Sequence, residues 1–221
     1  LLLTLVPALF AAKKPNIIFI MADDLGWSEL GSYGQKKIKT PNIDRLAKEG
    51  MRFTSNYSGN AVCAPSRCVL MTGKHPGHAF VRNNKPAKPE GQHPIPDSEV
   101  TIGELLQKEG YVTGAFGKWG LGNTWSTGNP TKQGFNRFFG YNCQAHAHSY
   151  YPATLWSNNE LYKLNNKPPV PGHASLPKGA DSADPRSYDI FKGQDYAPDR
   201  INDRALAFIQ KNKGRPFYLY Y

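Results

Sequence analysis

Two groups of residues in this chain have side chains whose types and spacing could support chemistry. The first is the carboxylate pair Asp23-Asp24, which directly follows the apolar run 16–22, Asn-Ile-Ile-Phe-Ile-Met-Ala. Functional groups gather at the carboxyl ends of strands in open α/β sheets, and adjacent carboxylates repel each other, so a bound divalent cation would explain the pair. An ordinary turn with two solvated aspartates is the alternative.

The second group is the motif Cys63-Ala-Pro-Ser-Arg67. Because proline suits the first turn of a helix, Pro65 predicts that Cys63 lies at a helix N-terminus, where free N–H groups and the helix dipole favour an anion. Arg67 would follow one turn later and could stabilise a charged group at position 63. A buried structural cysteine and a surface ion pair are the simpler roles for these two residues.

Four segments, taken in their order along the chain, resemble the sulfatase family. They are Asp23-Asp24 after its apolar run, Thr-Pro-Asn-Ile-Asp-Arg-Leu at 40–46, Cys-x-Pro-Ser-Arg at 63–67 with Leu-Met-Thr-Gly at 70–73, and Gly-Lys-Trp at 117–119. The resemblance extends over residues 14–221. It implies a calcium-dependent hydrolase of sulfate esters with an alkaline-phosphatase-like fold, of which this chain is the N-terminal part of the catalytic domain.

The resemblance also implies a cofactor made from the chain itself. A formylglycine-generating enzyme would oxidise Cys63 to formylglycine, an aldehyde that hydrates to a gem-diol. One hydroxyl would attack sulfur and release the alcohol, and the other would then expel sulfate. Arg67 would stabilise the diol, and Lys118, at the end of a predicted strand, would neutralise charge on the sulfate.

In the same analogy Asp23, Asp24 and residue 63 bind calcium. These groups supply fewer than the roughly six to eight oxygen ligands that calcium prefers. Relatives place further ligands, a histidine and a second lysine after a strand such as 216–221, where this sequence stops. We therefore expect the 221 residues alone to be inactive and poorly soluble.

One position departs from the family pattern. Sulfatases commonly have histidine two residues after the lysine of Gly-Lys-Trp, and this chain has Gly120 there. We expect His146 or His148 to take that role, because alternate residues of an extended segment point the same way and histidine transfers protons near neutral pH. A zinc site and ordinary polar loop histidines are the alternatives. His75 and His78 are weaker candidates for substrate contact.

Strands and helices are predicted to alternate. Strands are expected at 16–22, buried on both faces, and at 51–57, 111–116 and 216–221. Helices are expected to start at Thr40-Pro41, at a Thr101–Glu104 capping box, and along the apolar stripe of Ile201, Ala205, Phe208 and Ile209. This alternation predicts an α/β/α sandwich with a mixed, mostly parallel sheet. Residues 122–198, rich in proline, glycine and aromatics, are expected to form an irregular insertion over the site.

The net charge of the chain indicates which kind of partner it binds. Twenty-seven basic against seventeen acidic residues give a formal charge of +10, which favours anionic partners. The basic residues are scattered without interleaved aromatics, so nucleic acid is not expected as a partner.

Residues 1–12 resemble the apolar core of a secretion signal and are too short to span a membrane, so we expect export of the protein. A buried first strand is the alternative.

Two other functions stay open at this level. One is a formylglycine-dependent phosphodiesterase or phosphonate monoester hydrolase of the same superfamily. The other is a secreted basic protein that binds sulfated polysaccharide and keeps Cys63 as a thiol. Three cysteines, Cys63, Cys68 and Cys143, are too few for a disulfide framework.

Overall fold

The computed structural model describes residues 13–221, in which six strands form one sheet in the order β1-β6-β2-β3-β4-β5. The strands are β1 Ile17–Phe19, β2 Val112–Lys118, β3 Arg137–Tyr141, β4 Thr154–Ser157, β5 Glu160–Lys163 and β6 Phe217–Tyr220. Strands β1, β6, β2 and β3 are parallel neighbours, whereas β4 and β5 are antiparallel to theirs. The predicted mixed, mostly parallel sheet is therefore confirmed.

In the described part of the chain five α-helices accompany the sheet: α1 Pro41–Glu49, α2 Cys63–Thr72, α3 Ile102–Lys108, α4 Gln144–Ala147 and α5 Ala197–Asn212. Helix α3 begins at the predicted capping box, in which the Glu104 N–H donates to the Thr101 hydroxyl and the Thr101 N–H donates to the Glu104 carboxylate. Short 3₁₀ turns occur at Trp27–Glu29, Gly31–Tyr33 and Pro185–Phe191. No helix within residues 13–221 is long and apolar enough to cross a membrane.

The helices cover the sheet on both faces. Alternate side chains of a strand point to opposite faces, and β6 shows this directly. Phe217 and Leu219 belong to the core that contains the apolar stripe of α5, whereas Tyr218 and Tyr220 belong to the core that contains α2 and residues of α3. The fold is thus the predicted α/β/α sandwich.

The strand predicted at 16–22 forms in part, but the prediction that it is buried on both faces is wrong. Strand β1 is three residues long and lies at the sheet edge, paired only with β6, so Ile18 and Ile20 are 48% and 66% exposed rather than buried. The predicted strand at 51–57 does not form. Its apolar residues Met51 and Phe53 are exposed, because within residues 13–221 no sheet edge or helix packs against them.

The predicted irregular insertion at 122–198 contains regular structure. It includes β3, β4, β5 and α4, and β3 is an interior strand of the sheet. A sequence signal for the β4–β5 hairpin was available: Asn158-Asn159 lies between the two strands, and Asn158 has φ of 55°, which a two-residue hairpin turn requires. The predicted signal sequence at 1–12 lies outside the described residues.

Candidate active site

Cys63 is the first residue of α2, as Pro65 predicted. Val62 before it is extended, so the chain turns into the helix at this cysteine and leaves its thiol half-buried and without a disulfide. Asn84 fixes the helix start: its side-chain oxygen accepts from the Ala64 N–H at 3.0 Å, and its amide lies 3.5 Å from the Cys63 sulfur. Asn84 was not identified from the sequence, because no local pattern links residues 63 and 84.

Asp23 lies beside two cations that come from different elements. The Lys118 ammonium, at the end of β2, is 2.6 Å from its carboxylate, and the Arg67 guanidinium, from α2, is 3.7 Å away. Burial alone would raise the pKa of Asp23, but the Lys118 hydrogen bond and the charges of Lys118 and Arg67 lower it below its ordinary value. Asp23 is therefore a carboxylate at any physiological pH.

Arg67 is held by hydrogen bonds to two strands of the sheet, β2 and β6. One of its guanidinium nitrogens donates to the Tyr220 hydroxyl at 2.9 Å and to the main-chain carbonyl of Lys118. The residue is 5% exposed, so the alternative of a surface ion pair is excluded. Burial raises the pKa of Tyr220, so this hydroxyl stays protonated next to the guanidinium.

A single cavity of about 190 Å³ brings the sequence-predicted residues together. Asp23, Asp24, Cys63 and Arg67 all line it, with Ser58, Asn60 and Ser66 among the other lining residues. Lys118 joins the group through its ion pair with Asp23. The arrangement combines a cysteine at a helix N-terminus with two carboxylates and two cations, which suits binding and reaction of an anionic ester.

The carboxylates in this cavity are the type of ligand that calcium prefers, but two of them are fewer than the number of ligands it takes. Asp23 and Asp24 offer the hard carboxylate oxygens that calcium prefers, and both line the cavity. Within residues 13–221, however, no cluster of three or more metal-ligating side chains is present. A calcium ion held by Asp23 and Asp24 would need further oxygen ligands besides these two carboxylates.

The two candidate histidines point in different directions, contrary to the prediction from an extended segment. His146 lies in α4 and His148 caps it, and residues two apart on a helix are about 200° apart around its axis. The His146 ring pairs with Glu90 at 3.0 Å. The His148 ring contacts His173 at a centroid separation of 3.9 Å.

The charges of Asp23, Asp24 and Lys118 act on the pKa of His148. Partial burial, His173 and Lys118 lower its pKa, and Asp23 and Asp24 act in the opposite sense. The lowered pKa favours the neutral imidazole at neutral pH. His173, which the sequence analysis did not single out, reaches this position from the loop after β5, so only the tertiary structure reveals it.

Gly120 is adjacent to a buried amide instead of a histidine. A Cβ at position 120 would lie 2.3 Å from the Gln144 side-chain nitrogen and 3.3 Å from Cδ of Arg67, and Gly120 has φ of +82°. Gln144 is 3% exposed, and its side-chain oxygen has no hydrogen-bond partner within the described residues. Gln144 thus occupies the space next to Arg67 that a side chain at position 120 would enter, and the sequence analysis missed it.

His75 and His78 lie beyond the C-terminal end of α2, whereas Cys63 lies at its start. A helix of ten residues is about 15 Å long, so these histidines are remote from the cysteine along the helix. Their weaker candidacy for substrate contact receives no support from this placement.

Comparison with known proteins identifies the family. The model of the Sulfatase family matches residues 15–221. The chain belongs to the sulfatase family. It is 34% identical over 220 residues to N-acetylgalactosamine-6-sulfatase of Canis lupus familiaris, covering 96% of this chain and 39% of that protein. It is 43% identical over 141 residues to arylsulfatase A of Homo sapiens, covering 63% of this chain and 28% of that protein.

Solved structures agree with this sulfatase fold. The crystal structure of Ps i-CgsB superposes with a TM-score of 0.73 at 31% identity, covering 94% of this chain and 44% of that one. A protein solved in complex with its substrate D-glucosamine-2-N,6-O-disulfate gives a TM-score of 0.66 at 29% identity, covering 95% of this chain and 34% of that one. The chain therefore spans less than half the length of these relatives.

Proposed function

We propose that the polypeptide carrying this chain hydrolyses a sulfate ester of a carbohydrate or an aryl alcohol. The observation that supports this most directly is the shared cavity, in which Cys63 at the start of α2 lies with two carboxylates and Arg67. Membership of the sulfatase family supports the same reaction.

Cys63 is proposed to be oxidised to formylglycine by a formylglycine-generating enzyme. The exposed part of its thiol and the absence of a disulfide at this cysteine are compatible with modification. Once hydrated, this aldehyde supplies the hydroxyl nucleophile that a thiol cannot replace for attack on sulfur.

The chain's own residues would bind and orient the ester. The first-turn N–H groups of α2 and the Arg67 guanidinium favour the negative charge of a sulfate beside residue 63. Lys118, whose ammonium lies 2.6 Å from the Asp23 carboxylate, would neutralise negative charge on a sulfate oxygen. Neutral His148 can accept a proton at this site.

Calcium is the metal that this donor set favours. Asp23 and Asp24 would hold it, together with oxygen on residue 63 and ligands from outside residues 13–221. A bound divalent cation would supply positive charge that polarises the ester oxygens.

The substrate class follows from charge and relatives. The chain has a formal charge of +10, and relatives include N-acetylgalactosamine-6-sulfatase and a protein solved with a disulfated glucosamine. A sulfated carbohydrate is therefore the proposed substrate, and an aryl sulfate is the simplest probe. The proposed site of action is outside the cytoplasm, after export.

The test is to express the full-length polypeptide together with a formylglycine-generating enzyme and assay it on matched aryl sulfate and aryl phosphate esters. We expect turnover of the sulfate, loss of turnover in Cys63→Ala, and retention in Cys68→Ala, which removes a buried thiol of the same helix. Peptide mass analysis and labelling with a hydrazide should find an aldehyde at position 63.

Two outcomes would contradict this proposal. Faster hydrolysis of the phosphate than of the sulfate would favour a phosphodiesterase or phosphonate hydrolase. An intact thiol at Cys63, with binding of sulfated polysaccharide and no turnover, would favour a binding protein.

A further inference from the structure

A second cationic cavity lies at the other end of the sheet from Cys63. It has a volume of about 360 Å³, and four basic residues line it: Arg137, Arg204, Lys211 and Arg215. The remaining lining residues include Asn136 and Asn212 and no acidic residue. Four cations on one concave surface create a positive potential that attracts an anion.

These cations are not neutralised by acidic neighbours. Within residues 13–221 none of the four forms a salt bridge. Arg215 donates to the Asn212 side chain, and Arg137 donates to the Ser157 hydroxyl. The Arg204 guanidinium lies 5.5 Å from each of the ring centroids of Phe139 and Tyr162. The three arginines are therefore held in place by neutral groups.

The pKa of Arg137 reflects the excess of positive charge around it. Burial and the neighbouring Arg204 lower the pKa of its guanidinium, and Glu160 opposes this only in part. A bound anion would relieve the repulsion between these two guanidiniums. Guanidinium groups suit sulfate because their planar N–H groups can donate to two oxygens of one anion.

The position of this cavity relates it to the candidate active site. Val112, the first residue of β2, lines the cationic cavity, and Lys118, the last, contacts Asp23. Six residues of strand at about 3.3 Å each separate the two ends by about 20 Å. A polymer chain bound in the cationic cavity, at the start of β2, would thus lie within a few sugar lengths of the candidate active site at the end of β2.

We propose that the cavity of Arg137, Arg204, Lys211 and Arg215 is a second binding site, for a sulfate group on a polysaccharide, that retains the polymer while the active site acts on it. The choice of a sulfated glycan rests on the proposed function. The cation cluster and the cavity are independent of it. Tethering raises the effective concentration of the polymer at the active site, so it should lower KM for polymers and leave small esters unaffected.

The binding test uses full-length protein carrying Cys63→Ala, so that no ester is cleaved. Calorimetry would measure the affinity for dextran sulfate, with unsulfated dextran and a single-stranded oligodeoxynucleotide of equal charge as comparison ligands. The variant Arg204→Gln/Lys211→Gln/Arg215→Gln changes three exposed side chains. Its matched control is Lys36→Gln/Lys37→Gln/Lys39→Gln, which removes the same charge from exposed lysines elsewhere.

We expect the cavity variant to weaken dextran sulfate binding by about ten-fold or more, and the control by less than about three-fold, because the cavity cations act together at short range. Equal losses in both variants would overturn the proposal, since net charge alone would then explain binding. Equal affinity for the oligodeoxynucleotide would overturn the assignment to a sulfated glycan.

A kinetic test follows with Cys63 intact. The cavity variant should raise KM for a sulfated polymer and leave both kcat and the rate on an aryl sulfate unchanged. An unchanged KM would show that the cavity does not retain substrate. Because the binding experiment needs no turnover, a failure of the proposed hydrolase activity and a failure of the second site give different results.

Discussion

Asp23 is the residue at which the charges of the candidate active site meet. Its carboxylate contacts Lys118 from β2 and approaches Arg67 from α2. Since both cations lower its pKa below the ordinary 3.8, the ion pairs contribute stability above that pH and lose it as the pH falls through the lower folded value. The site is therefore stable across the pH range in which its proposed chemistry operates.

His148 and His146 should respond differently to replacement. We expect His148→Ala to reduce kcat of the full-length enzyme on an aryl sulfate by about two orders of magnitude or more, as for loss of a general base. His146→Ala should keep most of the activity and lower the melting temperature, because His146 pairs with Glu90 rather than with cavity residues. Unchanged turnover in His148→Ala would remove it from the site.

His173 should tune the pH dependence of the reaction. Burial, His173 and Lys118 lower the pKa of His148, so replacing His173 with glutamine should raise that pKa toward 6.5. If neutral His148 is required, the acid limb of the kcat/KM profile should move to higher pH in His173→Gln. His75→Gln, an exposed histidine beyond α2, is the control and should leave the profile in place. A shift to lower pH would contradict this assignment.

The elements of the fold depend on caps that hold loops as well as helices. Thr101 caps α3, and its buried hydroxyl also donates to the main-chain carbonyl of Gln133 at 2.7 Å. Thr101→Ala should destabilise the protein by about 1–2 kcal/mol because it removes the cap and leaves that carbonyl unpaired. Thr101→Ser, which keeps the hydroxyl, should cost much less. Thermal unfolding of both variants would test this role of the Thr101 hydroxyl. Equal melting temperatures of the two variants would contradict it.

The accuracy of the element predictions depended on where each element packs. The apolar stripe of Ile201, Ala205 and Phe208 predicted α5 correctly. These residues recur at the helical period because one face of the helix packs against the sheet. Residues 16–22 were predicted as a strand buried on both faces, and residues 51–57 as a strand, because apolar residues form the same local pattern whether or not a partner covers them. Burial depends on neighbours, which local patterns do not contain.

The whole molecule exposes an unusual amount of apolar surface near its N-terminus. The exposed large side chains there are Ile18, Phe19, Ile20, Leu25, Trp27, Ile38, Ile43, Leu46, Met51, Phe53, Tyr57 and Val62. Within residues 13–221 the outer edge of β1 has no partner strand, and this edge together with the apolar surface promotes association. The relatives are more than twice as long as this chain.

We expect the isolated 221 residues to self-associate and to have no calcium-dependent turnover. Light scattering of the purified chain should show oligomers or aggregates, and Leu46→Lys/Met51→Lys/Phe53→Lys should reduce them, since each side chain is more than half exposed. Lys36→Gln/Lys37→Gln/Lys39→Gln should not. A monomeric chain that hydrolyses an aryl sulfate in the presence of calcium would contradict this expectation.

The sequence by itself determined the family, the α/β class and the core of the site. Cys63, Arg67, Asp23 and Lys118 were identifiable because each lies in a short motif that resembles the sulfatase family. For Cys63 the proline of its motif also indicated a helix start, and for Asp23 the apolar run before it indicated a strand end. Only the tertiary structure decided that His148 lies within the electrostatic influence of Asp23, Asp24 and Lys118. It also placed His173 against His148 and Gln144 beside Gly120, and it gathered four cations around a second cavity. Those arrangements depend on distances between residues far apart in the chain, which packing fixes and local spacing does not.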